Sequence, residues 1–258
     1  MKGFTIAGEG KLILKNAHII ADKNATDNIL YIPKDHTLLL KNCTINFLGS
    51  NSLLFLRENN MSINVSIFNN STLFIDKAFS TNKTTNIVIS EQTSVFIGRE
   101  NLYSFDVWFR TADPHLIYDC TTHQRTNQSK SIFVGDHVWI GQDCLIMKNS
   151  FIGSGAIIGA KSLCSNKDYR SNCIYGGSPA RLIRENVFFT KDCVHNYTDI
   201  ETEQSQCCDN EKFIFTQSKN PNHKTPRDLM EFLDNTREIN KRIEFLTKIA
   251  TYKDRYYI

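Results

Sequence analysis

The sequence has no long apolar run, no cluster of one charge and no paired-cysteine motif, and each absence removes a class of function. No stretch approaches the ~20 apolar residues that a membrane-spanning helix needs. The N-terminal MKGFTIAGEGKLILKN has no apolar core of the secretory type. The expectation is a cytoplasmic protein with no integral membrane segment. Lys and Arg number 30 against 27 Asp and Glu, a net charge of +3. They form no basic run, and with no zinc-finger spacing and no aromatic recognition motif, nucleic acid is not an expected partner. A mild positive balance suits an anionic substrate or the phosphates of a nucleotide cofactor. Cys43, Cys120, Cys144, Cys164, Cys173, Cys193, Cys207 and Cys208 make no CxxC pair and no disulfide framework. They read as free, mostly buried thiols in a reducing compartment, where the Asn-x-Ser/Thr triplets have no meaning as glycosylation sites. The 258 residues, 41% hydrophobic and 22% charged, suffice for one large domain or one domain with an appendage.

What is present is a repeat of period six. From Val134 the chain reads VGDHVW, IGQDCL, IMKNSF, IGSGAI, IGAKSL. Val134, Ile140, Ile146, Ile152 and Ile158 take the first position, and the slender Val138, Cys144, Ser150, Ala156 and Ser162 the fifth. Gly135, Gly141, Gly153 and Gly159 take the second. Five apolar first positions in a row have a chance of about one in a hundred before the glycines count. Each hexad is a short strand and a turn, three hexads make a triangular coil, and coils stack in parallel. First and fifth positions point inward, and glycine at the second is expected where a sharp corner would strain a Cβ.

Upstream the repeat is degenerate. TLLL (37–40), SLLFL (52–56), STLFI (71–75) and SVFIG (94–98) are short β-rich runs, while 42–49 and 60–68 alternate polar and apolar residues as half-buried strands do. No linker separates residues 1–105 from the strict hexads of 132–163. One continuous β-helix over 1–186 is therefore expected rather than a separate β-sandwich. Residues 119–131 are polar and aperiodic and read as a protruding loop, where function tends to sit on a rigid scaffold. The pattern stops after 186. The extension 187–258 holds one expected strand at 213–215 and one helix over 226–252, with Thr225 as N-cap, Pro226 first and Asp228 in the first turn. Leu229, Phe232, Thr236, Ile239, Ile243, Leu246 and Ala250 keep a 3-4 spacing, a face for its own subunit or for a partner.

The stretch Trp108–Asn186 resembles the hexapeptide-repeat, left-handed β-helix acetyltransferases, among them the bacterial capsular polysaccharide and polysialic acid O-acetyltransferases. The motifs are RTADPHLIYD (110–119), RTN (125–127), IFVGDHVWIG (132–141), IGSGAIIGAKS (152–162) and GGSPARLIREN (176–186). They cover about 80 residues. The resemblance implies a mainly β fold, a left-handed parallel β-helix with a C-terminal α-helical extension. It also implies a homotrimer, acetyl-CoA as co-substrate, no metal, and direct transfer to a carbohydrate acceptor.

By the resemblance His115 is the catalytic base, and the chemistry needs one. A sugar hydroxyl is a poor nucleophile near neutral pH, and a neutral imidazole can take its proton as it attacks the thioester. Asp113, two residues earlier, either orients that imidazole, binds the acceptor or simply forms the turn before Pro114. Trp139 falls on an outward sixth position, either at a subunit interface or, as the resemblance implies, beside thioester and acceptor. His137 also points away from the core by phase and reads as surface or cleft wall. The resemblance assigns Gly141, Ala160 and Lys161 to the pantetheine arm of acetyl-CoA, and Lys167, Arg181 and Arg184 to its phosphates. Ser178 replaces the usual Asn of the family tail, which leaves the adenine end unassigned. Residues 163–172 are expected as a corner loop with Tyr169 over the cofactor tunnel. Arg125 and Asn127 are candidates for acceptor contacts, with a plain surface role as the alternative.

Other readings are weaker. A zinc-dependent carbonic anhydrase on the same fold would need three histidines, and His115, His123 and His137 lack the paired short spacing of such a site. A non-enzymatic scaffold and an N-acetyltransferase of an amino sugar nucleotide are the remaining alternatives.

Overall fold

The computed structural model describes residues 3–218, 224–252 and 256–258. Its strands lie on three faces, visited in the order A, B, C. One strict coil runs Ile132–Val134 on face A, Trp139–Ile140 on B, Leu145–Met147 on C, and returns to A at Ser150–Ile152. Face A has eight strands, from Phe4–Ala7 to Lys167–Tyr169, each paired in parallel with its neighbours. In the first coils Lys11–Ala21 and Thr37–Phe47 run on through a corner, turned by Asn16 and Asn42 at φ 50° and 47°. The whole is a left-handed parallel β-helix of about seven turns with a C-terminal helical part. Residues 4–97 stack in register on the strict hexads (Ile97 pairs with Val134), so no separate sandwich exists.

The interior follows from the repeat. All five first-position aliphatics are fully buried, and none of the fifth-position residues exceeds 2% exposure. Val134 lies beside Ile152 and Ile140 beside Ile158, so each inward side chain stacks on its counterpart one coil on. The glycine expectation needs a correction. The left-handed corner is at the fourth position, where His137, Asp143, Asn149, Gly155 and Lys161 have φ between 51° and 74°. Second-position glycines serve close approach instead: a Cβ on Gly141 would lie 2.6 Å from the Ala160 nitrogen of the next coil.

The extension also departs from expectation. Residues 213–215 form no strand; Glu211–Phe213 is a 3-10 turn. The corner expected at 163–172 contains two strands, Leu163–Cys164 and Lys167–Tyr169. The single helix is two, Pro226–Asn235 and Ile239–Ile249, broken where Thr236 and Glu238 are extended. Thr225 and Asp228 form the capping box that starts the first. The break lets both helices lay apolar sides on one surface of their own chain. Leu229, Met230, Leu233, Ile239, Leu246 and Ile249 are buried on the outer side of face A. That side carries a phenylalanine file, Phe55, Phe74, Phe96, Phe133 and Phe151, at 4.5–6.1 Å centroid spacing. Phe232, expected on the buried side, is 37% exposed and stacks on Phe245 instead. Arg242, fully buried, donates to Thr72 Oγ1 (2.9 Å) and the Asn51 carbonyl (2.8 Å), and burial lowers its pKa to about 10. Among the described residues all eight cysteines are free, four of them exposed rather than mostly buried. No described helix is long and apolar enough to cross a membrane.

Candidate functional site

An arm leaves the β-helix at the corner between faces C and A, after Trp108–Arg110 and before Ile132–Val134. It lengthens that coil to 37 residues from Val95 to its partner Ile132, against 18 from Phe133 to Phe151. Polar bonds fold it back on itself. Tyr118 and Arg125 form an antiparallel bridge, and the Thr126 amide donates to the Ile117 carbonyl at 2.9 Å. Asn127, 7% exposed, is the tie at the base: its Nδ2 donates to the His115 carbonyl (2.7 Å) and its Oδ1 accepts from the Ile117 amide (2.9 Å). Arg125 makes a two-pronged ion pair with Glu91. Both side chains proposed for acceptor contact are thus engaged in shaping the arm.

His115 stands exposed on this arm, with no imidazole hydrogen bond among the described residues. Asp113 does not orient it. The Asp113 carboxylate accepts from Lys148 Nζ at 2.6 Å, and this bond holds it below the usual carboxylate range. Asp113, Asn127 and Lys148 together fix the backbone that presents His115.

Trp139 points outward from face B, 41% exposed, as its phase requires. Its neighbours make a file along that face: Leu102, Trp139, Ile157, Ile174 and Arg184 occupy successive rungs. Arg181 and Arg184 are exposed on the last, antiparallel strand and have no acidic partner among the described residues. From Trp139 to Arg184 is three rungs, about 14 Å. On the other side of Trp139 a cavity of about 660 Å³ opens between face B and residues 190–195 of the extension.

The other candidates scatter. Gly141 and Ala160 meet at the corner between faces B and C, where Lys161 is held by Asp143 at 2.8 Å. Lys167 lies on face A, away from the arginines. Tyr169 is 1% exposed inside the coil, its hydroxyl accepting from the Ser165 amide, so it covers no tunnel. His137 is not on the surface, though it lines a small cavity with Arg99, Glu100 and Lys212. It points out of the coil, but the extension covers it: its ring stacks between Phe189 (4.1 Å) and Phe213 (3.5 Å), and Nε2 donates to the Phe189 carbonyl at 2.9 Å. Burial lowers its pKa. Among the described residues no group of three His, Cys, Asp or Glu is placed to hold a metal ion. Lys148 and Lys191 were not legible as site residues, since Lys191 lies beyond the repeat and Lys148 matters only once the arm folds onto it.

His115 and Trp139 are not brought together within one chain. In a triangular cross-section the corner between C and A lies opposite face B.

No protein-family model matches the chain. By sequence it is similar to the polysialic acid O-acetyltransferase of Neisseria meningitidis, 27% identical over 172 residues, covering 66% of this chain and 79% of that protein. It is also similar to the polysialic acid O-acetyltransferase of Escherichia coli O1:K1 / APEC, 29% identical over 104 residues, covering 40% of this chain and 34% of that protein. The match therefore spans about a third of the E. coli relative's length. By fold it is similar to the crystal structure of the polySia-specific acetyltransferase NeuO, at TM-score 0.62 and 23% identity, covering 80% of this chain and 95% of that one. Repeat and fold are those of a hexapeptide-repeat β-helix, and in sequence the chain is similar to O-acetyltransferases, the polysialic acid O-acetyltransferases among them.

Proposed function

We propose that the chain is an acetyl-CoA-dependent O-acetyltransferase that modifies a sugar hydroxyl of a bacterial surface glycan, a sialic-acid-containing polymer, in the cytoplasm. The observation that carries this reading is the layout of face B. Trp139 stands between a cavity on one side and a file ending at Arg181 and Arg184 on the other. Two guanidinium groups with no acidic partner among the described residues suit the phosphates of acetyl-CoA, and an extended pantetheine arm along Ile157 and Ile174 would end with its thioester at Trp139. The acceptor then enters from the cavity side.

In the proposed reaction the neutral His115 imidazole takes the proton of the acceptor hydroxyl as its oxygen attacks the thioester carbonyl. The C–O bond forms, the C–S bond breaks, and the imidazolium returns the proton to the departing thiolate. No acyl-enzyme is involved. Because His115 and Trp139 lie on opposite sides of one chain, the site is complete only between two copies, which is why we propose a homotrimer.

The test is His115→Ala. Turnover should fall ~10²–10⁴-fold while acetyl-CoA binding and thermal stability hold, since the exposed imidazole fills no core space. A folded variant with near-normal turnover removes His115 from the mechanism.

A further inference from the structure

The side chains expected to contact the acceptor are spent elsewhere, yet the cavity beside Trp139 has a wall that no sequence motif marks. Its floor is face B around Leu102–Phe105, and its roof is Thr190–His195 of the extension. One cation lines it and a second stands nearby. Lys191 lies on the roof and makes no ion pair or hydrogen bond among the described residues. Lys83 Nζ sits 5.3 Å from the centroid of Phe105, a floor residue. Neither acid nearby forms an ion pair with Lys191. Glu100 is paired with Lys212 at 3.2 Å, and Asp192, the acid on the described rim, accepts from the Thr190 hydroxyl at 2.7 Å. Lys191 is partly desolvated there, which lowers its pKa, with Glu100 opposing. A cation with no direct ion pair among the described residues, beside an exposed indole, is an arrangement for an anionic ring: the ammonium meets the charge and the aromatic face meets the apolar side of the sugar.

We propose that this cavity is the acceptor site and that Lys191, supported by Lys83, binds the carboxylate of an acidic sugar laid against Trp139. The assignment rests on the transferase reading and deepens it. It gives face B a polarity, with the acidic acceptor on the extension side of Trp139 and the phosphates of acetyl-CoA on the Arg181–Arg184 side. Acceptor choice then belongs to the extension and cofactor binding to the repeat.

The experiment uses the full chain, an oligomer of sialic acid, its carboxyl methyl ester, and labelled acetyl-CoA. The wild type should prefer the acid to the ester. Lys191→Met should raise KM for the acid about tenfold or more, the scale of one charge-assisted hydrogen bond, and collapse the preference. KM for acetyl-CoA should stay as it was, and Lys191→Arg should recover most of the loss. Equilibrium binding of the unlabelled acid oligomer to wild type and Lys191→Met is measured in parallel. If no acceptor is acetylated but the oligomer binds in a Lys191-dependent way, the transferase reading fails and the anion site stands. The site is overturned if Lys191→Met leaves both KM and binding of the acid unchanged, or if KM for acetyl-CoA rises instead, which would make Lys191 a phosphate ligand.

Discussion

Asp234 carries a titration that reports on the docking of the C-terminal helices. It lies on the inner side of Pro226–Asn235, where Oδ2 accepts from Ser131 Oγ at 2.5 Å and Oδ1, fully buried, has no hydrogen bond. Burial outweighs the opposing pull of Ser131, Ser94 and Arg237 and raises its pKa to about 6. An unfolded chain holds such a carboxyl near ~4. The folded protein therefore binds this proton more tightly than the unfolded chain does. The contribution is fully present below about pH 4 and is lost as pH rises through about 6. Integrating between those two values gives about 2 kcal/mol less stability at pH 7.5 than at pH 4.5 from this group alone. Asp234→Asn removes the titration, and the new amide adds an offset that does not vary with pH. Chemical denaturation of both proteins at several pH values should show their difference in stability moving by about 2 kcal/mol across that window, in favour of the variant at high pH. A difference constant to within about 0.5 kcal/mol would refute the buried, charge-penalised carboxyl.

Other perturbations test other parts of the molecule. Tyr103 has a fully buried hydroxyl with no partner among the described residues; Tyr103→Phe should therefore raise the melting temperature, by about 1 kcal/mol of stability. Gly141→Ala should cost about 1–3 kcal/mol by overpacking, because the added methyl meets backbone rather than a movable side chain. His137→Ala should release residues 187–215 to limited proteolysis, since it deletes the ring between Phe189 and Phe213; intact resistance would show that the extension is held otherwise. A solution mass near that of one 29.6 kDa chain at micromolar concentration would contradict the proposed trimer.

The period of six was legible because every coil places the same demands on its residues: an inward aliphatic, a slender residue at the fifth position, and a neighbour's backbone against the second. Those demands are local and repeat, so they leave a mark in one sequence. The outward phase of Trp139 and the cap at Thr225 were readable for the same reason. His137 shows the limit. Its phase correctly sent it out of the coil, but only the folded extension, with Phe189 above it, made that side of the coil an interior. The helix pair shows it too. A 3-4 spacing continues through Thr236, and nothing short of the flat phenylalanine file of face A requires the chain to break there.

By itself, then, the sequence determined the architecture of the β-helix, the inward and outward assignment of the hexads, and the start of the helical part, all set by contacts within one repeat. Tertiary structure alone decided the rest. It bound Asp113 to Lys148 rather than to His115, engaged Asn127 and Arg125 in the arm, buried Tyr169, and set Lys191 over a cavity beside Trp139. These pairings join residues separated by tens of positions with no common period. Their energies depend on which charges and donors the fold leaves unmatched.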